Sequence, residues 1–434
     1  MKFFLLIFLL FTACAGTEKT PPVYNDAPLV LKNASTQGDV LKPVTVLTLP
    51  TAVSRSIMKN PHLDVAKAEI EALQIASKVE GAPQPLKVSV EFEDFLGSGA
   101  YRNISGSQLT ISLSYVLETG AKRFKRAKTA NLNVNAARAA HDIMVLQTAG
   151  ETAQAFLKVL YLQEKLRMLD EQKSLSAKIL EKLELKVKGG KLADIQLDIP
   201  RAGLKIIEIE KKRFQNRYEL SKKALAYHWG SRTPDFKSVA GNWDLPKIKT
   251  LQQDFIKSVK TNPHVKKWIV AVEIAKSQLD SAKAGSYPDI EISAGYRYFR
   301  DNNDSAAVLG ISVPFNISSV NRHKVDFAQA LKKKARREII AAEFKLETEI
   351  IELYQELVIM HSTISDYKNN VIRLLIGNLK GIEEGFNLGK FTHLELLASQ
   401  KAILEIREKI LDELYEYHRR AVELEYKSGV SLYR

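Results

Sequence analysis

The sequence repeats itself at an interval of about 200 residues, and an internal repeat constrains a fold more than any single motif does. Asn60-Pro61 returns as Asn262-Pro263. In each pair the asparagine can cap a helix whose first turn begins at the proline. After each pair the same order follows: a helix, two strand-like runs, a very long helical stretch, a glycine-containing break and another long helix.

Four short segments alternate apolar and polar residues, which is typical of strands with one apolar face. They cover about residues 86–95 and 108–116 in the first half of the chain, and 289–299 and 308–315 in the second. Each has about the ten residues that a tilted strand needs to cross a bilayer. A soluble, half-buried hairpin fits any one segment equally well, but four in step with the repeat favour membrane strands. The loop Asn302-Asn303-Asp304 is expected to join the last two.

Four strands are too few to close a barrel in a membrane, where an open sheet edge would leave backbone groups without hydrogen bonds. The barrel must therefore be shared between chains. Two, three or four copies would supply eight, twelve or sixteen strands, and the strand count alone does not choose among them.

Two long stretches of the chain, residues 122–188 and about 322–388, contain no proline. Each could form an unbroken helix of about 100 Å at a rise of about 1.5 Å per residue. Apolar residues in the first stretch follow the mixed three- and four-residue steps of coiled-coil packing: Leu160, Leu166, Leu169, Ile179 and Leu183. A simple dimeric coiled coil would explain these helices but not the strands.

The fold class predicted from these patterns is mainly α with a small transmembrane β part. It consists of two tandem structural repeats, each a long-helix hairpin plus a β-hairpin. The first repeat covers residues 49–230 and the second covers residues 249–429. A linker over residues 231–248 joins them, and a short tail follows at residues 430–434.

The first residues indicate the cellular compartment. An apolar run over residues 3–11 has the length of a signal-peptide core and is too short to span a bilayer. It ends in Phe11-Thr12-Ala13-Cys14, which resembles the lipobox of bacterial lipoproteins and contains the single cysteine of the chain. We predict a signal peptide over residues 1–13, lipidation at Cys14 and a lipidated tether over residues 14–48. The alternative is an ordinary signal peptide with a coincidental cysteine.

The residue after that cysteine is Ala15, not the aspartate that holds such lipoproteins at the inner membrane, so an outer-membrane address is implied. Nucleic acid is then not expected as a partner, although the formal net charge is +14.

Taken in order, these features resemble the TolC family of trimeric outer-membrane efflux ducts over about residues 48–429. The resemblance rests on the paired Asn-Pro dipeptides, the paired hairpins, Gly120 before the first long helix, and Phe156 and Tyr354 within the two long stretches. Residues 118–123 also resemble the Gly-Lys-Arg segment of the cobalt-zinc-cadmium branch. Ala121 stands where that branch has a second glycine.

The resemblance implies a homotrimer with a twelve-stranded β-barrel in the outer membrane of a Gram-negative bacterium, continued by a periplasmic α-helical barrel. Such a duct passively conducts substrates from an inner-membrane pump, of the RND type, and a periplasmic membrane-fusion adaptor. The branch points to heavy-metal cations as substrates. The same duct for drugs or for type I protein secretion remains an alternative, and so does a periplasmic coiled-coil adaptor or scaffold lipoprotein.

Members of this family dock their adaptor at the turns of the periplasmic helix hairpins. The resemblance therefore assigns adaptor contacts to residues around the two glycine breaks: Val187, Gly190, Leu192, Leu388, Gly389 and Phe391. The plainer interpretation of each glycine is a simple turn between two helices.

Family members also close this tip with a ring of acidic side chains. Glu395 matches the first position of that ring, whereas the second position holds Ala398; Asp194 and Asp198 are further gate candidates. Three carboxylates that converge on an axis would favour cations. A solvated glutamate on a helix face is the simpler alternative.

No motif for catalysis, cofactor binding or metal binding is recognised, because the eight histidines lack metal-site spacing and there is no phosphate-binding loop or nucleophile elbow. We therefore expect no enzyme activity, no cofactor and no metal site. A basic cluster directly follows the second strand, and we expect it at the periplasmic edge of the barrel, as a solvated helix face or near anionic lipid head groups. Its members are Lys122, Arg123, Lys125, Arg126 and Lys128.

Overall fold

A computed structural model describes residues 44–314 and 320–432. The predicted signal peptide, Cys14 and most of the predicted tether lie outside the described residues, as does Phe315 at the end of the fourth predicted strand.

The fold is mainly helical, as predicted, and its elements occur in a similar order in the two halves of the chain. The first half contains β1 (Val46–Thr48), α1 (Leu49–Lys59), α2 (Pro61–Glu80), β2 (Lys87–Glu93), β3 (Gln108–Leu117), α3 (Lys122–Lys188) and α4 (Asp198–Tyr227). After β4 (Ser238–Ala240), the second half contains α5 (Gln252–Ser258), α6 (Pro263–Ala284), β5 (Ile290–Phe299), β6 (Asp304–Ser312), α7 (Val320–Asp366), α8 (Ile372–Asn387) and α9 (His393–Ser428).

The two Asn-Pro pairs start helices as predicted. Asn60 accepts a hydrogen bond from the backbone N–H of His62 at 2.8 Å, and Asn262 accepts one from His264 at 2.9 Å. Each asparagine also donates through Nδ2 to the end of a distant helix. Asn60 donates to the carbonyl of His228 after α4 at 2.9 Å, and Asn262 donates to that of Lys427 in α9 at 2.6 Å. One buried side chain therefore joins the start of one helix to the end of another in each half.

The long helices differ from the prediction in one place. Helix α3 runs unbroken for 67 residues, about 100 Å at the usual rise. The second stretch is interrupted by a five-residue π-helical segment, Tyr367–Val371, between α7 and α8. A π turn needs no proline or glycine, so no helix-breaking residue marks this segment in the sequence.

Four strands form one antiparallel sheet in the order β2-β3-β5-β6, so β3 and β5 pair across the two halves of the chain. Among the described residues, β2 and β6 each pair on one side only. The register aligns Val90, Ile111 and Tyr296 on one face of the sheet and Glu91, Thr110 and Arg297 on the other. The alternation predicted from the sequence therefore gives one apolar face and one largely polar face.

Two strand boundaries differ from the predictions. Strand β2 ends at Glu93, before the predicted residue 95. Asp94 and Leu96 have left-handed backbone conformations, which turn the chain away from the neighbouring strand. Strand β6 covers Asp304–Ser312 and not residues 308–315. Because Phe299 pairs with Asp304, the turn is tighter than predicted, Asp304 belongs to the strand, and Val313 lies beyond it.

A small parallel sheet between β1 and β4 was not predicted. It pairs Leu47 at the end of the predicted tether with Val239 in the predicted linker, and both side chains are buried. They belong to a core cluster with Phe156 and Leu160 of α3. The tether is therefore fixed to the helical body from residue 44 onward.

A second core cluster lies among α5, α7 and α9 and contains Phe255, Leu357 and Tyr417. Within residues 44–314 and 320–432, no helix combines the length and apolar character needed to cross a membrane.

The link from β3 to α3 depends on two consecutive left-handed residues, Gly120 at φ 62° and Ala121 at φ 55°. A Cβ on Gly120 would lie 2.9 Å from the ring of Tyr287. Ala121 carries a Cβ in a conformation that costs a non-glycine residue roughly 1–2 kcal/mol. Ala121, which stands where the cobalt-zinc-cadmium branch has a second glycine, is therefore a strained residue.

We expect substitutions at residues 120 and 121 to change the free energy of unfolding in opposite directions. Ala121→Gly should stabilise the fold by about 0.5–1 kcal/mol, because relief of the left-handed strain exceeds the greater chain entropy of glycine. Gly120→Ala should destabilise it by about 2 kcal/mol through the same strain plus the contact with Tyr287. Denaturant unfolding in detergent would measure both, and equal effects of the two variants would contradict this account.

Asn60 and Asn262 should each contribute more to the free energy of unfolding than an ordinary helix cap does. Asn60→Ala and Asn262→Ala should each cost about 2 kcal/mol of unfolding free energy, because both the cap and a buried hydrogen bond are lost. Asn60→Asp keeps an acceptor for the cap but removes the donor to His228, so its loss should be smaller. Asn131→Ala, on an exposed part of α3, is the matched control and should have little effect.

Candidate functional site

The first glycine break closes α3 with a tight, well-defined turn. Gly190 has a left-handed φ of 70°. Its N–H donates to the carbonyl of Val187 at 2.9 Å, and the N–H of Lys191 donates to that of Lys186 at 2.9 Å. These are the two hydrogen bonds of a Schellman motif, which favours glycine at the left-handed position because glycine has no Cβ.

The second break has the same geometry. Gly389 has a φ of 74° and donates to the carbonyl of Phe386 at 3.1 Å, while Lys390 donates to that of Gly385 at 2.8 Å. Gly385 lies against the ring of Phe391, which would have to move to make room for a Cβ at this position. The breaks therefore create matching turns in the two halves of the chain.

The candidate adaptor contacts differ in exposure. Leu388 is 72% exposed and Phe391 is also exposed, whereas Val187 and Leu192 are half-buried. The ammonium group of Lys186 lies 4.9 Å from the centroid of the Phe386 ring, so the end of α3 is adjacent to the end of α8. The two turns therefore lie at the same end of the molecule. Sequence reasoning missed four further exposed apolar residues near them: Leu185, Ile195, Ile199 and Leu394.

Glu395 has a structural task beside any role in a gate. Its carboxylate accepts hydrogen bonds from the N–H of Thr392 at 2.7 Å and from the Thr392 hydroxyl at 2.8 Å. The hydroxyl in turn accepts the N–H of Glu395, which completes a capping box at the start of α9. The hydrogen bonds from Thr392 lower the pKa of Glu395, so it carries its charge at neutral pH.

The other two gate candidates lie at the start of the returning helix of the first hairpin. Asp194 is 3.9 Å from Arg201, which also lies 3.7 Å from Glu184. Asp198 is exposed in the first turn of α4, where a negative charge is favourable. In the described parts of the chain, no hydrogen bond joins Glu395 to either aspartate.

Above the tip, polar contacts tie α3 to α9. The buried Lys165 pairs with Glu408, and Arg407 lies 4.0 Å from Glu171. The hydroxyl of Tyr161 donates to Asp412 at 2.7 Å, and burial together with this hydrogen bond raises the tyrosine pKa. Sequence reasoning missed these links because the partners come from different halves of the chain.

Arg297, which the sequence analysis did not single out as a functional residue, lies on the polar face of the sheet. Its guanidinium donates to Thr110 at 2.9 Å, to Gln108 at 3.2 Å and to Glu93 at 3.2 Å, and so links β5 to both strands of the first hairpin. An arginine at a polar position of a bilayer-length strand was the available sequence signal. Within the described ranges, no group of three or more His, Cys, Asp or Glu side chains could hold a metal ion.

Comparison with known proteins gives a consistent result. Residues 257–429 match the family described as outer membrane efflux protein. The chain is 22% identical over 389 residues to the cobalt-zinc-cadmium resistance protein CzcC of Cupriavidus metallidurans, which covers 87% of this chain and 89% of that protein.

Solved outer-membrane channels have the same fold. CusC superposes with a TM-score of 0.72 at 14% identity, covering 96% of this chain and 99% of the other. VceC of Vibrio cholerae gives 0.72 at 17% identity over 88% and 96% of the two chains. CmeC of Campylobacter jejuni gives 0.73 at 13% identity over 95% and 94%. The resemblance to the TolC family predicted from the sequence is confirmed.

Two substitutions separate the cap from the charge at Glu395. Thr392→Ala should weaken the start of α9 by about 1 kcal/mol, since a threonine cap is lost. Glu395→Gln keeps a side chain able to complete the capping box but removes the negative charge. Amide hydrogen exchange of residues 394–397 should therefore accelerate clearly more in Thr392→Ala than in Glu395→Gln.

The same pair tests the gate in single-channel recordings. If three Glu395 carboxylates converge on the axis, Glu395→Gln should lower the preference for cations over anions, whereas Thr392→Ala should change it less. Unchanged ion selectivity in Glu395→Gln would leave the residue with the capping role alone.

Proposed function

We propose that this chain, a relative of outer-membrane efflux proteins, is one protomer of the outer-membrane duct of a tripartite efflux system. The observation that carries the proposal is the four-stranded sheet with one exposed apolar face and two edges that no described strand pairs with, attached to helices far longer than a globular domain needs. The duct is passive, and the energy for transport comes from a pump in the inner membrane.

The sheet has the properties of a membrane wall. Strands β3 and β5 each contain 10 residues, the length of a tilted transmembrane strand. Exposed apolar side chains cover one face, including Val90, Ile111 and Ile292. Exposed aromatic residues lie at one end of that face, Phe92, Phe95 and Tyr298, and two more, Tyr287 and Phe124, lie in the segments next to the other end of the sheet, an arrangement that resembles the girdles of membrane barrels.

The free edges support a barrel shared among copies. In lipid, an open edge would leave several backbone groups unsatisfied, at several kcal/mol each. Because neighbouring strands in the sheet are antiparallel, β2 and β6 run in opposite directions. Strand β6 of one copy can therefore pair antiparallel with β2 of the next. Three copies, the number that the family resemblance implies, give a closed barrel of twelve strands.

The helical part would continue this barrel into the periplasm, with each half of the chain supplying one long-helix hairpin. The two Schellman turns then form the periplasmic tip. We assign adaptor contacts to Val187, Gly190, Leu192, Leu388, Gly389 and Phe391. The support is the exposure of Leu388 and Phe391 and the adjacency of the two turns. Glu395 is our principal gate residue, with Asp194 and Asp198 beside the first turn.

Heavy-metal cations are the substrate class that we propose, because a relative over most of the chain is a cobalt-zinc-cadmium resistance protein. The partners are then a periplasmic membrane-fusion adaptor and an RND-type pump. The location is the outer membrane of a Gram-negative bacterium, with lipid anchoring through Cys14.

The first test is the mass and assembly state of the protein extracted from outer-membrane fractions, measured by native mass spectrometry with the N-terminus intact. A trimer whose protomers carry an acylated Cys14 is the expected result. A trimer without acyl chains would contradict only the anchor. A soluble monomer or dimer would contradict the duct and favour a periplasmic scaffold.

Export is tested in a bacterial strain from which the gene for this chain has been deleted. Deletion of the gene should sensitise cells to cobalt, zinc or cadmium, and the wild-type chain should restore resistance. Restored resistance to drugs but not to these cations would exclude the heavy-metal substrate class and leave the duct itself intact.

A further inference from the structure

The basic cluster after β3 divides into two groups in the structure. Lys122 pairs with Asp289 at 2.8 Å. Arg126 pairs with Glu118, whose pKa this hydrogen bond lowers, and lies 3.5 Å from Glu80. These two cations are therefore neutralised within the protein.

The remaining cations of the cluster are not neutralised in this way. Within residues 44–314 and 320–432, Arg123, Lys125 and Lys128 form no ion pair with a carboxylate. Three carboxylates at this junction, those of Glu80, Glu118 and Asp289, already lie beside Lys122 or Arg126. The first turns of α3 thus keep an excess of positive charge beside the sheet.

The start of α7 adds two more cations at the same end of the sheet. Asn321 donates to the Ser286 hydroxyl at 2.5 Å, and Thr119, just before α3, donates to the carbonyl of Pro288 at 2.5 Å. Both helices therefore begin beside one short segment, residues 286–289. Arg322 and Lys324 are exposed there and, among the described residues, form no ion pair.

Each of these helix starts also exposes a phenylalanine. Phe124 is 67% exposed and Phe327 is 66% exposed. The guanidinium of Arg123 lies 4.8 Å from the centroid of the Phe124 ring. At about 1.5 Å per residue, the five cations and Phe124 lie within about 10 Å of the helix starts, which is comparable to the head-group layer of a bilayer.

We propose that these residues form a collar that binds anionic phospholipid in the inner leaflet of the outer membrane. The collar consists of Arg123, Phe124, Lys125, Lys128, Arg322, Lys324 and Phe327. Both helix starts lie next to the end of the sheet, so a lipid whose acyl chains lie on the apolar face would have its phosphate within reach of these cations. The aromatic rings lie at the boundary between chains and head groups, where such rings are favoured.

This inference rests on the proposed membrane location, and the test separates the two. The trimer is purified in detergent, and phosphatidylglycerol or phosphatidylethanolamine is titrated while bound lipids are counted by native mass spectrometry. The wild type should bind phosphatidylglycerol in preference. The variant R123Q/K125Q/K128Q/R322Q/K324Q should bind it about tenfold more weakly or worse, since each basic residue near a lipid surface contributes to the attraction.

A variant with the same loss of charge at the opposite end of the helices is the control. K178Q/K182Q/K188Q/K191Q/K380Q changes five exposed lysines around the two tip turns, none of which forms an ion pair within the described chain. It should retain the lipid preference of the wild type. Equal weakening in both variants would mean that net charge alone attracts the lipid, and the collar would be abandoned.

A second measurement does not depend on how the fivefold variant folds. Phe124→Trp places a fluorophore in the collar, and lipids brominated near the head group should quench its added emission in reconstituted trimers. Absence of quenching would place Phe124 at a contact between protomers and overturn the proposal. If the wild type forms no membrane-embedded trimer, the proposed function fails together with the collar; if the trimer embeds but binds both lipids equally, only the collar fails.

Discussion

The architecture depends on a hydrogen-bonding constraint that two asparagines satisfy. Asn60 and Asn262 each cap one helix and donate to the end of another that lies far away in sequence. Both side chains are buried, so an unpaired amide would cost roughly 1–3 kcal/mol. In each half of the chain, the start of one helix is thereby fixed to the end of another, and the long helices extend from this region.

From this fixed region, the chain extends toward the sheet at one end and toward the two glycine turns at the other. Toward the sheet, the polypeptide makes an abrupt left-handed turn at Gly120 and Ala121 and presents an apolar face that the protomer alone leaves exposed. Toward the tip, it ends α3 and α8 with equivalent Schellman turns. Among the described residues, two strand edges are unpaired at one end, and leucine and isoleucine side chains are exposed at the other. The proposed shared barrel and adaptor would cover these two surfaces.

The charged residues also differ between the sheet end and the tip. Lys122 and Arg126 are held by Asp289 and Glu118 at the junction of sheet and helices, while the cations of the proposed collar form no ion pair among the described residues. At the tip, Glu395 is bound by Thr392. Its charge is therefore oriented by the local backbone and remains exposed to ions or to a partner. The capping box therefore leaves room for the proposed role of Glu395 in a gate.

The sequence by itself determined the helix caps at Asn60 and Asn262, the first long helix, the alternation of the four strands and the glycine turns. Each of these depends on neighbours in sequence, through capping, periodicity or a left-handed backbone. The tertiary structure decided the π segment at residues 367–371, the pairing of Leu47 with Val239, the register that starts β6 at Asp304, and the contacts of Arg297 and Lys165. The pairing of Leu47 and the contacts of Arg297 and Lys165 involve partners far away in the chain, which no local pattern records. Strand β6 starts at Asp304 because that residue pairs with Phe299, and the alternation of residue types does not fix this register.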